Sequence, residues 1–280
     1  MLRIGRIAYA NCTPIFHELQ RQATGEDYQF VGGVPSHLNA RLAAGEIDVC
    51  PSSSIQYALH PEHYLILPDL SISSIGAVGS VLLFSRIPIE KLDGQTILLS
   101  SESATSVNLL RILMRKRFGC LCSFTVSEQP LDSAMQEVPA MLLIGDSALR
   151  ASFLESDLHV YDLGELWHDW TGLPFVFALW FCGRQVVKDR YVEVARLARN
   201  LIVSKERACT DLEAIAQNSP EALWMGSERL VAYWRDNISY DLGSSHLEGL
   251  TLFYRYCVEL GLLAAEPDLH FLDIKLLKGL

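Results

Sequence analysis

Over the first 65 positions, short apolar blocks alternate with amphipathic stretches. Residues 4–9 predict a strand, and residues 14–22 a helix that stops near Gly25. Residues 28–31 predict a second strand. Residues 36–44 predict a helix, with Gly45 at its C-terminal cap position. Residues 47–50 predict a third strand, followed by a helix that begins in the triplet Ser52-Ser53-Ser54. Short apolar strands separated by helices indicate a parallel sheet covered on both faces.

The pattern changes near Leu70. From Ile72 to Phe84 the chain is apolar, extended and dotted with glycine. That is too long for one core strand. A strand leaving one sheet for another has this pattern, with Gly76 and Gly79 letting the backbone bend. An edge strand with a bulge is the alternative. A second strand–helix series follows over residues 92–163. It has strands at 96–99, 124–126, 140–144 and 159–161. A helix runs from Ser106 to near Gly119, with Arg115, Lys116 and Arg117 in its last turn, where cations suit the dipole. Gly145-Asp146-Ser147-Ala148-Leu149 opens a further helix. Residues 175–182 form a second long apolar strand after Thr171-Gly172-Leu173-Pro174. Two long connecting strands around a compact unit imply two lobes: residues 1–80 with 180–280, and residues 81–179.

The last third reads as helical. Val187, Tyr191, Val194, Ala198 and Ile202 keep helical spacing. Thr210-Asp211-Leu212-Glu213 and Ser245-His246-Leu247-Glu248 have the form of capping boxes. Asn218-Ser219-Pro220 predicts another helix start. The aromatic residues Tyr233, Trp234, Phe253, Tyr254 and Tyr256 either fill the core or support a dimer, so a monomer and a homodimer both remain open.

Charge narrows the partners. The 280 residues carry a formal net charge of −10, which argues against nucleic acid and acidic membranes, since both demand a basic surface. A small anion is still compatible, because local donors outweigh a distant net charge. No apolar stretch reaches a membrane-spanning length and no signal-peptide pattern is present, so a cytoplasmic location is expected. The seven cysteines do not form a disulfide framework, and reduced, mostly buried thiols are expected. Cys120-Leu121-Cys122 lacks a second pair for zinc. The histidines are dispersed, and none is expected to have metal-ligand spacing with another histidine, cysteine or carboxylate; His60 and His63 are three apart, but Pro61 interrupts any helix between them. No nucleophile elbow, phosphate loop or dinucleotide fingerprint occurs.

Hydroxyls, amides and helix starts remain. Asn11-Cys12-Thr13-Pro14 closes the first strand and opens a helix, with Thr13 as a fitting N-cap and Pro14 as a fitting first helical residue. Asn11 then stands at the carboxyl end of a strand, where small anions bind in open α/β sheets. Ser52, Ser53 and Ser54 repeat this layout in the first lobe, and Ser103, Thr105 and Ser106 in the second. Plain capping needs only one such residue per helix, so the surplus hydroxyls point to a ligand. Asp146 is the one acid at such a junction, either facing a ligand or capping its own helix.

The segment Ile7-Ala8-Tyr9-Ala10-Asn11-Cys12-Thr13-Pro14 resembles the opening motif of the chorismate dehydratases of the futalosine route to menaquinone. So do Gly33-Val34-Pro35-Ser36-His37-Leu38-Asn39, Gly45-Glu46-Ile47-Asp48-Val49 and the serines at 52–54. Ser80-Val81-Leu82-Leu83-Phe84-Ser85 and Gly145-Asp146-Ser147-Ala148-Leu149 are similar to further blocks of that family. The resemblance implies an α/β fold of the type II periplasmic-binding-protein class, with a mixed, mostly parallel sheet in each lobe and two crossover strands. It implies a lyase that removes water from chorismate to give 3-[(1-carboxyvinyl)oxy]benzoate, with no cofactor and no metal. Asn11 falls on the family's active-site asparagine, and Cys12 is given no role. Ser52, Ser53, Ser54, Ser80, Ser103, Thr105, Ser106, Gly145 and Asp146 are the expected contacts for a dicarboxylate substrate. An asparagine cannot act as a base at neutral pH. Asn11 is therefore expected to orient the substrate or its departing hydroxyl, while the enolpyruvyl carboxylate takes the ring proton. The alternatives are the sister enzyme 1,4-dihydroxy-6-naphthoate synthase and a non-catalytic small-anion-binding protein. A regulator's effector module is disfavoured, because the first strand begins within a few residues of Met1.

Overall fold

The computed structural model describes residues 1–22, 28–100 and 103–274, so the expected stop near Gly25 lies outside the described residues. In chain order the elements are β1 (Leu2–Ile7), α1 (Thr13–Gln22), β2 (Tyr28–Gly33), α2 (Pro35–Ala43), β3 (Val49–Ser53), α3 (Ser54–Leu59) and β4 (Tyr64–Ser74). Then come β5 (Val81–Ser85), β6 (Thr96–Leu99), α4 (Ala104–Ile112), β7 (Ser123–Val126), α5 (Leu131–Glu137), β8 (Ala140–Ile144), α6 (Asp146–Ser152), β9 (His159–Asp162) and α7 (Leu163–Thr171). The chain finishes with β10 (Phe175–Gly183), α8 (Arg184–Thr210), α9 (Leu212–Gln217), α10 (Ala222–Met225), α11 (Ser227–Ala232) and α12 (Ser244–Glu259).

Two sheets form, in the orders β2-β1-β3-β10-β4 and β7-β6-β8-β5-β9. In the first, β1 runs parallel to β2 and β3, while β10 is antiparallel to β3 and β4. The second repeats the scheme, with β6 parallel to β7 and β8, and β5 antiparallel to β8 and β9. Each sheet is therefore mixed. Every residue of β3, β5 and β8 is buried, as expected of strands covered on both faces. Leu82 and Phe84 on one face of β5 join Leu98, Met135 and Met141 in a small cluster. Their neighbours Val81 and Leu83 belong to the main core.

The chain passes between the sheets twice. The first crossing, over residues 75–80, lies between β4 and β5, with Gly76 and Gly79 both at positive φ (91° and 71°). The second lies at residues 172–174, because β10 pairs only with β3 and β4 of the first sheet. Both crossings are irregular chain rather than strands, the first between β4 and β5 and the second between α7 and β10. Asp162 fixes the first crossing, accepting the N–H groups of Val78 at 3.0 Å and Gly79 at 2.6 Å.

Several local expectations change. Pro51, Ser52 and Ser53 lie in β3, and α3 starts only at Ser54, because β10 pairs with these residues and tertiary pairing overrides local preference. A 3₁₀ turn over Ala10–Cys12 precedes α1, so Thr13 is already helical and its hydroxyl donates to Glu221 Oε1 at 2.9 Å instead of capping. Neither capping box forms. Thr210 ends α8 and donates to the Arg207 carbonyl, and α12 begins at Ser244 without a side-chain cap. Helix α8 is kinked at Arg190, where φ is −140°. All seven cysteines are free, five of them buried. Tyr233, Trp234, Phe253 and Tyr254 are buried in the core.

Candidate functional site

The turn bearing Asn11 is held by side chains from distant parts of the chain. Ala10 donates its N–H to Asp146 Oδ1 (3.0 Å), which belongs to the other lobe. The Ala10 carbonyl accepts from Trp234 Nε1 (2.7 Å), and the Asn11 carbonyl accepts from the Tyr240 hydroxyl (2.8 Å). Thr13 is tied to Glu221, as above. These contacts use the backbone polar groups of the turn and leave the Asn11 carboxamide out. Its Oδ1 is buried and has no hydrogen-bond partner. A buried acceptor without a partner costs stability unless something else supplies a donor.

Asn11 lines a cavity between the lobes, together with Ser53, Ser80, Ser103, Ser106 and Gly145. The cavity spans about 530 Å³ of space between atoms, part of it open to solvent, and about 60 Å³ admits the centre of a water molecule. The lobes are thus nearly closed. Among the described residues, none in the lining is a lysine, arginine, histidine, aspartate or glutamate. Apolar walls come from Ile7, Ile72, Val78, Val81, Ile144 and Phe177, with Tyr9 beside them.

The two hydroxyl clusters meet across this gap. Ser53 Oγ lies 3.5 Å from Ser103 Oγ, and Ser54 Oγ lies 3.3 Å from Thr105 Oγ1. Thr105 Oγ1 also accepts the N–H of Ile55 (3.1 Å), so a second-lobe hydroxyl caps the first-lobe helix α3. Ser103 is the N-cap of α4, accepting from Ser106 N–H. Ser80 Oγ accepts from the buried Tyr233 hydroxyl (2.9 Å), and the Ser80 carbonyl accepts from Gly145 N–H (2.7 Å). Gly145 has φ +64°, and a Cβ there would stand 3.2 Å from the Tyr9 ring. The two lobes touch at that point.

Four of the expected contacts lie off the cavity. Ser52 is turned to α2, where its hydroxyl donates to Asn39 Oδ1, as alternation along β3 requires once Ser53 faces the gap. Ser54 donates to the Val176 carbonyl (2.9 Å), and Thr105 serves α3. Asp146 is the first residue of α6, after Gly145 at the N-cap, and its carboxylate reaches across the cleft to the Asn11 turn. The sequence reading missed Tyr9, Trp234, Tyr233 and Tyr240. Tyr9 had a signal in its place two residues before Asn11; the other three had none, because only the folded chain brings residues 233–240 to the turn.

Among the described residues, the thiols and phenols in and around the cleft are not bases at neutral pH. Burial, then Cys50 and Asp146, pushes the Cys12 thiol far above its ordinary value. Burial likewise raises Cys50 to about 12 and holds the Tyr233 and Tyr240 hydroxyls protonated. Cys12 is therefore a thiol, not a thiolate nucleophile.

Two hinged lobes with mixed five-stranded sheets and a polar gap between them define the class of the periplasmic-binding-protein fold. The structure aligns with the periplasmic aliphatic sulphonate binding protein SsuA of Escherichia coli (TM-score 0.67, 15% identity, 95% of this chain and 89% of that one). It also aligns with a crystallographically solved protein of Archaeoglobus fulgidus (TM-score 0.72, 21% identity, 94% of this chain and 98% of that one). The sequence profile described as menaquinone biosynthesis matches residues 2–259, and the chain belongs to that family. A relative named chorismate dehydratase from Thermus thermophilus is 32% identical over 227 residues, covering 75% of this chain and 81% of that protein. One of the same name from Campylobacter jejuni is 31% identical over 182 residues, covering 64% and 66%.

Proposed function

We infer that this chain acts as a chorismate dehydratase, converting chorismate to 3-[(1-carboxyvinyl)oxy]benzoate, and that the interlobe cavity is where it does so. Family membership and the two dehydratase relatives support the reaction. The observation that carries the assignment of the site is the buried, partnerless Oδ1 of Asn11, a residue of the cavity whose described lining holds only neutral groups.

The reaction breaks a ring C–H bond and the neighbouring C–O bond, and the ring becomes aromatic. Its proton has to go to a base and its hydroxyl has to leave as water. The described lining offers no base active at neutral pH. Chorismate brings its own, the enolpyruvyl carboxylate, and confinement between the lobes gives that group a high effective concentration at the ring proton. Asn11 accepts and donates hydrogen bonds and so orients the substrate at the departing hydroxyl. Ser53, Ser103 and Ser106, with Ser80 behind them, supply donors to carboxylate oxygens. Asp146 keeps the Asn11 turn in place only when the lobes are together, which couples closure to catalysis. Apolar walls exclude water and strengthen each of these contacts.

The test is incubation of purified, chelator-treated protein with chorismate, read by absorbance and mass. Loss of one water per chorismate without added metal or nucleotide is expected. Chorismate bound but recovered unchanged would instead indicate a binding protein. Glu102, next to Ser103 in sequence, lies outside the described residues; Glu102→Gln should keep turnover within about tenfold if the substrate supplies the base.

A further inference from the structure

The loop joining α3 to β4 reads His60-Pro61-Glu62-His63. Helical spacing cannot unite its two histidines, but a turn does. His63 N–H donates to the His60 carbonyl (3.1 Å), closing a four-residue turn with Pro61 at the second position, which its fixed φ suits. The turn is held from behind by the first residue of α8. Arg184 N–H donates to the His63 carbonyl (2.8 Å), and Arg184 Nη2 reaches the Pro61 carbonyl (3.5 Å). Both anchors use backbone oxygens, so the three side chains stay free to point outward.

One ligand-type atom from each of His60, Glu62 and His63 falls within 4.8 Å of the others. Glu62 Oε1 is 3.1 Å from His63 Nε2 and 3.9 Å from His60 Nδ1. In a tetrahedral zinc site with bonds of about 2.0–2.1 Å, ligand atoms stand roughly 3.3 Å apart. The triad needs only small side-chain adjustment to reach that spacing. Its side chains are 54%, 62% and 66% exposed, so an ion would keep water in its remaining positions. Imidazole with one carboxylate suits zinc, copper and nickel better than calcium or magnesium. Arg184 and Lys188 line the same surface hollow, and their charge opposes a cation. Those two charges weaken binding.

We propose that His60, Glu62 and His63 form a binding site for one divalent transition-metal ion of the zinc class, separate from the interlobe cavity. None of the three lines that cavity, so the ion acts on the corner between α3 and β4 and not on the reaction.

The experiment is calorimetric titration of the tag-free, chelator-dialysed full chain with zinc chloride, beside thermal unfolding with and without zinc. One ion per chain with micromolar affinity is expected, together with a raised unfolding midpoint. His63→Ala and His60→Ala should each weaken binding by at least about tenfold and abolish the midpoint shift, since each removes one of three ligands. Both should turn over chorismate like the parent, which also shows that they fold. Cys209 is the one exposed thiol and the obvious competitor, so Cys209→Ala should bind zinc unchanged. Binding that survives the double variant His60→Ala/His63→Ala, that vanishes in Cys209→Ala, or that is weaker than millimolar would overturn the proposal.

Discussion

At the scale of single residues, the account turns on Asn11 and the groups that hold it. Asn11→Asp keeps the size of the side chain but puts a charge in front of two substrate carboxylates. Its turnover of chorismate should fall by at least about a hundredfold, comparable to removing an oriented donor, with unfolding temperature little changed. Asp146→Ala removes the carboxylate that receives Ala10 N–H, a loss of about 1 kcal/mol for an ordinary cap. Because that cap reaches across the cleft, steady-state kinetics should show a larger loss in kcat than in unfolding midpoint, and Asp146→Asn should recover part of it. The place of Asn11 in the lining was legible in the sequence because the motif fixes its neighbours and sets it in the turn that follows β1. Asp146 was legible as an acid at a junction, but not as a cap for the opposite lobe. Capping is a local rule, and here the partner is 136 residues away.

At the scale of elements, the differences from the sequence reading come from pairing between distant segments and from where helices start and stop. β10 draws Pro51, Ser52 and Ser53 into a strand that local preference would leave in a helix start. The two apparent capping boxes fail because α8 runs through Thr210 and α12 starts ahead of Ser245. A true acid cap, Asp162 with Glu165 three residues on, opens α7 and was present in the sequence. The position of α12 is set by close contact. A Cβ at Gly249 would stand 2.1 Å from the Pro174 carbonyl oxygen. Gly249→Ala should lower stability by about 1–3 kcal/mol, read by denaturant unfolding. The same helix carries His246, whose pKa is lowered by burial. The unfolded chain therefore takes up a proton that the folded chain resists as pH falls below the ordinary value of 6.5. This part of the stability is present at higher pH and is lost on acidification. His246→Gln should show a shallower loss of denaturation midpoint between about pH 7.5 and 5.5 than the parent.

At the scale of the whole molecule, two lobes meet through hydroxyls, an aromatic ring on a glycine, and caps lent from one lobe to the other. Two crossings at residues 75–80 and 172–174 give the hinge that such closure needs. With so little room for water in the gap, chorismate requires the lobes to part and then reclose. The two-lobed plan was legible from the long apolar stretches, whereas the state of closure depends on side-chain contacts that no periodicity encodes. The central claim is that a closed neutral cleft lets the substrate's own carboxylate remove the ring proton. The most direct measurement is turnover of a chorismate analogue whose enolpyruvyl carboxylate is converted to the amide. The account predicts that it binds in the cleft and is recovered without loss of water. Dehydration of that amide at the rate of chorismate would contradict it.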